Sequence, residues 1–217
     1  MKTHICFHGI GTCLREREAG EAVYWVTKGR FLELLDEIAA HPSVSVSFDD
    51  GNRSDADIAL PALEQRGLRA TFFALAGRLD DPASLSGADL RDLRGAGMTI
   101  GSHGWEHVPW RGLSPRQATR ELVDARHALE DAGGTTITEA ALPLGRYDRQ
   151  VLRRLKDAGY RAVYTSDRFP VREHSWLRAR YSITHRTTPA SVAALTTRWP
   201  GVREARNLVA SGVKRIR

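Results

Sequence analysis

Short apolar segments alternate with longer amphipathic segments along this chain, and this alternation constrains the fold more than any other feature. The apolar segments have the length of buried strands and cover residues 3–8, 43–48, 69–75, 98–101, 137–142 and 161–165. The segments between them place apolar residues at helical spacing and predict helices after Thr27 and at about 54–66, 86–95, 115–133, 147–158 and 188–197. One helix between consecutive strands predicts an α/β fold with a parallel sheet covered by helices. We expect a (β/α) barrel, with a doubly wound open sheet as the alternative.

The length and composition predict a single globular domain. The chain has 217 residues, of which 41% are hydrophobic and 27% are charged. No apolar run approaches the roughly 18–20 residues that cross a membrane, and residues 1–8 lack the features of a signal peptide. Two cysteines, Cys6 and Cys13, are too few for a disulfide framework. We therefore expect a cytoplasmic location.

The excess of positive charge is concentrated at the C-terminus. The net charge is +6, from 32 basic and 26 acidic residues. Residues 203–217 carry Arg203, Arg206, Lys214, Arg215 and Arg217 against Glu204 alone. Because residues 1–202 are then nearly neutral, we expect no nucleic-acid partner and predict one domain there, followed by a basic helical tail. The tail is either a solvated helix end, which we favour, or a peripheral contact with an anionic membrane surface.

Two adjacent carboxylates follow the second predicted strand, in the segment Ser47-Phe-Asp-Asp-Gly51. Taken alone, Asp49 and Asp50 are ordinary turn residues. In parallel α/β folds, however, functional groups collect at the C-terminal ends of the strands. Successive side chains of a strand point to opposite sides, so these two acids are expected to have different roles.

Two histidines follow the fourth predicted strand, in the segment Ser102-His-Gly-Trp-Glu-His107. His103 and His107 are four residues apart and would face the same way on a helical turn capped by Ser102. Such a pair either lies on a surface helix or binds a divalent metal, with Asp50 as a third ligand at the same rim. A His, His, Asp set suits zinc, and also iron, cobalt, nickel or manganese.

These two segments, about 50 residues apart, resemble the motifs of the polysaccharide deacetylase family, the NodB-homology domain of the family 4 carbohydrate esterases. Ala70-Thr-Phe-Phe73 and Gly97–His103 extend the resemblance, which covers about residues 40–165. It implies a distorted (β/α) barrel of seven strands. It also implies that Asp49 is the general base and that Asp50, His103 and His107 bind the metal, most simply zinc.

The third motif of that family, Arg-x-Pro-x-Gly, is incomplete. Pro143 and Gly145 stand in place, but Ala141 occupies the position of the arginine that steadies the base in much of the family. Deacetylases of poly-N-acetylglucosamine are similar in lacking it, and they carry a Tyr-His element that Phe7-His8-Gly9 resembles. The resemblance therefore places His8 in the site as one alternative to a core histidine. It also assigns the backbone N–H of Leu144 to the oxyanion.

The remaining predicted site residues are a general acid and a sugar contact. The family supplies the acid in a Leu-x-His context, and the nearest candidate is His185, with His8 as the other. Trp105 either stacks on a sugar ring or packs in the core, which is commoner for tryptophan. Asp167 either orients the acid or closes a turn, and we favour the turn.

Together these features predict a metal-dependent hydrolase that removes an N-acetyl group from an amino-sugar substrate. The substrate would be a polysaccharide, a lipid-linked sugar or a glycoside, and a precursor at the inner membrane face is favoured. The alternatives are hydrolysis of another C–N bond, deformylation, or a metal- or glycan-binding module without turnover. The oligomeric state is left open.

Overall fold

A closed barrel of seven parallel strands forms the centre of the computed structural model, which describes residues 1–197 and 201–217. The strands are β1 Thr3–Phe7, β2 Val44–Phe48, β3 Ala70–Ala74, β4 Thr99–Ser102, β5 Glu139–Ala141, β6 Ala162–Thr165 and β7 Leu177–Ser182. Each strand pairs with its neighbour in sequence, and β7 pairs with β1 to close the ring. The predicted (β/α) barrel is confirmed, and the open sheet is excluded.

Helices cover the outside of the barrel. They are α1 Lys28–Ala39, α2 Leu60–Gln65, α3 Gly87–Gly95, α4 Pro115–Thr119, α5 Ala125–Gly133, α6 Arg149–Asp157, α7 Pro189–Thr197 and α8 Val202–Ile216. The predicted N-termini of α1 and α4 are capped by side chains. Thr27 accepts a hydrogen bond from the N–H of Arg30, and Ser114 forms a capping box with Gln117. Two single π-helical segments, Asp55–Ala59 and Arg120–Asp124, precede α2 and α5.

The core lies between the barrel and the helices. Phe7, Phe48 and Phe72 occupy one register row of the first three strands, with ring centroids 5.5 and 4.7 Å apart along the row. Phe31 of α1 packs edge-on against Phe7. These strand positions face the helices, so Ser47 and Asp49 on either side of Phe48 face the barrel interior.

Strand β7 was not among the segments predicted from the pattern. Its sequence, Leu-Arg-Ala-Arg-Tyr-Ser, has no apolar run. It nevertheless closes the barrel by pairing with β6 and β1. One of its arginines points into the barrel, where it meets the acid pair of β2.

Helix α8 occupies the segment predicted as a basic tail. Its Ser211 is fully buried, and Ser211 Oγ lies 2.8 Å from the hydroxyl of Tyr147. The division into a domain of residues 1–202 and a tail of residues 203–217 stays a prediction. Within the described ranges, none of the helices combines the length and the apolar character needed to cross a bilayer.

Candidate active site

The chain bends sharply at the end of β2 and separates the two acids. The N–H of Asp49 still donates to the carbonyl of Phe7 on β1, which keeps Asp49 in the sheet. Asp50 and Gly51 then adopt left-handed backbone conformations, with φ of 73° and 60°. A side chain at Gly51 would press on the backbone of Ala74. Both carboxylates are buried but point to different partners.

Asp49 forms a bidentate ion pair with Arg180 of β7. Arg180 Nη1 and Nη2 lie 2.6 and 2.7 Å from the two carboxylate oxygens, and Nη1 also donates to Ser47 Oγ. Burial raises the pKa of Asp49, but the guanidinium and the neighbouring His103 outweigh it and hold that pKa well below its usual range. Asp49 is therefore an ionised, fixed carboxylate near neutral pH.

Asp50 faces the two histidines. Its Oδ1 lies 3.3 Å from His107 Nε2 and 3.6 Å from His103 Nε2. One ligand atom from each of the three residues lies within 4.8 Å of the others. This compact set of one carboxylate and two imidazole nitrogens has the composition of a divalent-metal site.

The other ring nitrogens of the two histidines are held by partners. His103 Nδ1 lies 2.9 Å from the carbonyl oxygen of Ala141, and His107 Nδ1 contacts the carboxylate of Glu18. If Nδ1 carries the proton in each ring, both Nε2 atoms present a lone pair toward Asp50. Ala141 thus contributes its backbone carbonyl to the site.

The residues present fit a metal ion. Asp50 Oδ1 is buried and has no hydrogen-bond partner in the described part of the chain, which is costly unless another group satisfies it. Burial lowers the pKa of His103 to about 4, so its imidazole is neutral and able to ligate near pH 7. Burial raises the pKa of Asp50, but the imidazoles of His8, His107 and His103 outweigh it and lower that pKa, which keeps the carboxylate ionised.

The predicted helical turn across the two histidines is wrong, because this segment is a loop after β4. Gly104 and His107 take positive φ values of 91° and 58°, which bring both rings to one side without helical spacing. The Ser102 hydroxyl accepts from the N–H of Gly104 rather than capping a helix. The buried carboxylate of Glu121 fixes the loop by accepting from the N–H groups of Trp105 and Glu106.

A cavity of about 200 Å³ opens above this cluster. Its lining includes Asp49, Asp50, His103, His107, His8, Arg180 and Leu144. His8 packs against Tyr24 in a tilted arrangement with ring centroids 4.8 Å apart, and its Nδ1 is buried without a hydrogen-bond partner among the described residues. Leu144, in the turn Pro143–Gly145, has φ 56°, a strained conformation typical of functional sites.

Other predicted site residues lie outside this cavity lining. His185 is exposed, and its Nδ1 lies 3.2 Å from the carbonyl oxygen of Val23. Trp105 packs against the core, with the guanidinium of Arg120 4.8 Å above its ring. Pro143 is the buried first residue of the turn that presents Leu144. The structure thus brings His8, and not His185, to the acid pair.

Two site residues, Arg180 and Glu18, were missed by sequence reasoning. They lie 131 and 89 residues from their partners Asp49 and His107. Glu18 belongs to the loop after β1, where no strand or helix pattern fixes a direction. The one available signal for Arg180 was the alternation of Arg178 and Arg180 at strand spacing.

Comparisons with known proteins agree with this geometry. Residues 37–163, more than half of the chain, match the sequence model of the polysaccharide deacetylases. The chain is 26% identical over 132 residues to YxkH of Bacillus subtilis, an alignment that covers 61% of this chain and 47% of that protein. The chain therefore spans about half the length of this curated relative.

Solved structures share the fold. The deacetylase PplD of Streptococcus pyogenes, in complex with acetate, superposes with a TM-score of 0.79 at 18% identity, covering 91% of this chain and 98% of that chain. A family 4 carbohydrate esterase from Streptomyces lividans, also in complex with acetate, superposes with a TM-score of 0.52 at 21% identity. The match covers 77% of this chain and 88% of that chain. At these identities the likeness establishes the barrel alone.

Proposed function

Because the chain belongs to the polysaccharide deacetylase family, we propose that it is a metal-dependent hydrolase that removes N-acetyl groups from an amino sugar. The family and its carbohydrate esterase neighbours support an enzyme that acts on acetylated sugars. The observation that carries the finer proposal is the buried cluster of Asp50, His103 and His107 beside a separately fixed Asp49.

Asp50, His103 and His107 would hold the divalent cation, with zinc the simplest choice for this ligand set. When bound, such a cation supplies a Lewis acid that polarises the acetamide carbonyl and acidifies water. The three ligand residues leave one side of the cluster open to the cavity. The acetyl group would enter through that opening and lie beside Asp49.

Asp49 would act as the general base. Its carboxylate is ionised and held by Arg180, so it accepts a proton as the water oxygen bonds to the acetamide carbon. The backbone N–H of Leu144 would donate to the carbonyl oxygen as that oxygen gains charge. The C–N bond then breaks and leaves acetate and a free amine.

His8 is our candidate for the general acid. A ligand atom of its ring lies within 4.8 Å of one from Asp49, and the ring lines the same cavity. Its packing against Tyr24 holds the ring at the cavity wall, from which the imidazole would give a proton to the leaving nitrogen. His185, which is exposed, would take no part.

The test is acetate release from chitin oligosaccharides, measured before chelation, after chelation and after zinc is restored. We expect activity to vanish with the metal and to return with it.

Asp50→Asn should lose bound metal and activity together, whereas Asp49→Asn should retain metal and lose turnover by about 10²- to 10⁴-fold, the usual contribution of a general base. Full turnover of the metal-free protein would contradict the proposal, and release of formate alone from formylated analogues would reassign the acyl group.

A matched histidine pair tests the acid. His8→Ala should lower kcat with the metal content unchanged, and His185→Ala should leave kcat near that of the unaltered protein. The opposite ranking would return the role of general acid to His185.

A further inference from the structure

Helix α8 packs on the barrel through its polar side. Ser211 is fully buried against the hydroxyl of Tyr147, and Asn207 Nδ2 donates to the carbonyl of Arg168 over 3.1 Å. Lys214 Nζ lies 2.6 Å from Asp167 Oδ1. Surface helices of globular proteins normally turn their apolar side to the core, so α8 has the opposite orientation.

The apolar side of α8 faces outward. Val202, Val209, Val213 and Ile216 are exposed by 80, 69, 52 and 78%, and Leu208 is exposed by 52%. The first four recur at intervals of seven, four and three residues, which places them in one stripe along the helix. A contiguous apolar stripe of this kind marks an interaction surface.

Basic residues border the stripe. On a helical projection Arg206 and Arg217 follow one edge of the stripe, whereas Arg215 lies next to Leu208 on the flank that turns toward the barrel, and all three are exposed. Arg149, Arg153 and Lys156 line a groove together with Arg215, and Arg172 lines the groove beside Leu208. The single acid of the helix, Glu204, accepts from the N–H of Gly201.

We propose that α8 is an interfacial helix that places the enzyme on an anionic lipid surface. An apolar stripe bordered by arginines suits insertion at the boundary of headgroups and acyl chains, where each basic residue is attracted to anionic lipid. A second copy of the chain fits less well, because two such stripes in contact would bring their arginines together.

The placement of α8 links this surface to the catalytic cavity. Lys214 Nζ also lies 3.3 Å from the carbonyl oxygen of Gly145, and Gly145 and Leu144 line the cavity. A lipid surface bound along the outer side of α8 is therefore separated from one wall of the site by the width of this helix, about 10 Å. This favours sugars presented close to a membrane over polymers free in solution.

The test uses the full chain with vesicles of phosphatidylcholine alone or with added phosphatidylglycerol, in a co-sedimentation assay. We expect the protein to bind the vesicles that contain phosphatidylglycerol and not those of pure phosphatidylcholine, and we expect added salt to weaken this binding. The variant Val209→Glu with Ile216→Glu should lower that binding about tenfold or more, since it places two charges in the apolar stripe. Leu14→Glu, which places a charge on an even more exposed apolar residue outside α8, is the control.

Hydrolysis of a soluble N-acetylated oligosaccharide should be the same in all three proteins, which separates this inference from the proposed deacetylation. Absence of binding to vesicles of any phosphatidylglycerol content would overturn the proposal. So would a concentration-dependent dimer that is abolished by the α8 variant, because the stripe would then belong to a second copy.

Discussion

Arg180 controls both the charge and the orientation of Asp49. Its guanidinium donates to both carboxylate oxygens, and both residues are almost fully buried. Removing one partner of such a pair leaves an uncompensated buried charge and typically lowers the free energy of unfolding by about 3–5 kcal/mol. Arg180 of β7 thus fixes Asp49, whereas Ala141 has no side chain that could do so.

Replacement of Arg180 should therefore change the pH profile as well as the rate. Without the guanidinium, burial raises the pKa of Asp49, so the acid limb of the kcat profile should move to higher pH in Arg180→Gln. We expect kcat near the top of that profile to fall about 100-fold, within the range for a displaced general base. Arg180→Lys should recover part of the loss, because lysine keeps the positive charge but cannot donate to both carboxylate oxygens in the bidentate geometry of arginine.

Arg178→Gln is the matched control, since Arg178 lies on the same strand but contacts Tyr164 and Glu139. Equal losses in the two glutamine variants would assign the effect to the stability of β7 instead of Asp49. Thermal melting curves of both variants provide the comparison.

Strand β7 marks the limit of what the sequence could predict. Six strands and the four residues of the acid and histidine motifs carry local signals, namely apolar runs and short spacings. The polar sequence of β7 carries no local strand signal. Its Arg180 is stabilised only in the closed barrel, where it pairs with an acid from a strand far away in the chain. The loop after β4 was mistaken for a helical turn because an interval of four residues has no unique structural meaning.

Strand β1 carries a buried histidine that links stability to pH. His4 contacts Ser45, and burial, with Arg178, Arg180 and Lys2 nearby, lowers its pKa from 6.5 to about 3. The folded state resists protonation of His4, so its contribution to stability is complete above pH 6.5 and is lost as the pH falls toward 3. Linkage gives a loss of about 2 kcal/mol between pH 7 and pH 5 from this one group.

Urea unfolding at pH 7 and pH 5 should detect this loss. His4→Gln should show a pH dependence smaller by about 2 kcal/mol than that of the unaltered protein. His174→Gln, at an exposed position, should keep the full dependence. If the difference in unfolding free energy between pH 7 and pH 5 is unchanged in His4→Gln, the acid sensitivity arises elsewhere, for example from His103 and His107.

At the scale of the whole molecule, the C-terminal helix supports a wall of the cavity. Asp167 accepts hydrogen bonds from Tyr147, Thr165 and Lys214, and Lys214 also reaches the carbonyl of Gly145. The expectation that Asp167 merely closes a turn is therefore incomplete. Its contacts join β6, α8 and the turn that holds Leu144 in a strained conformation.

Lys214→Met should reduce catalysis without emptying the metal site. The substitution removes the donor to Gly145 and to Asp167, so the Leu144 N–H is held less firmly. We expect kcat to fall about tenfold, since small displacements of catalytic groups have large effects on rate. KM and metal content should change little, because none of the three proposed metal ligands touches this network. Arg206→Met removes the same charge from an exposed position of the same helix and should leave kcat unchanged. Rescue by Lys214→Arg would identify the donated hydrogen bonds as the cause, whereas an equal loss in Arg206→Met would point to net charge instead.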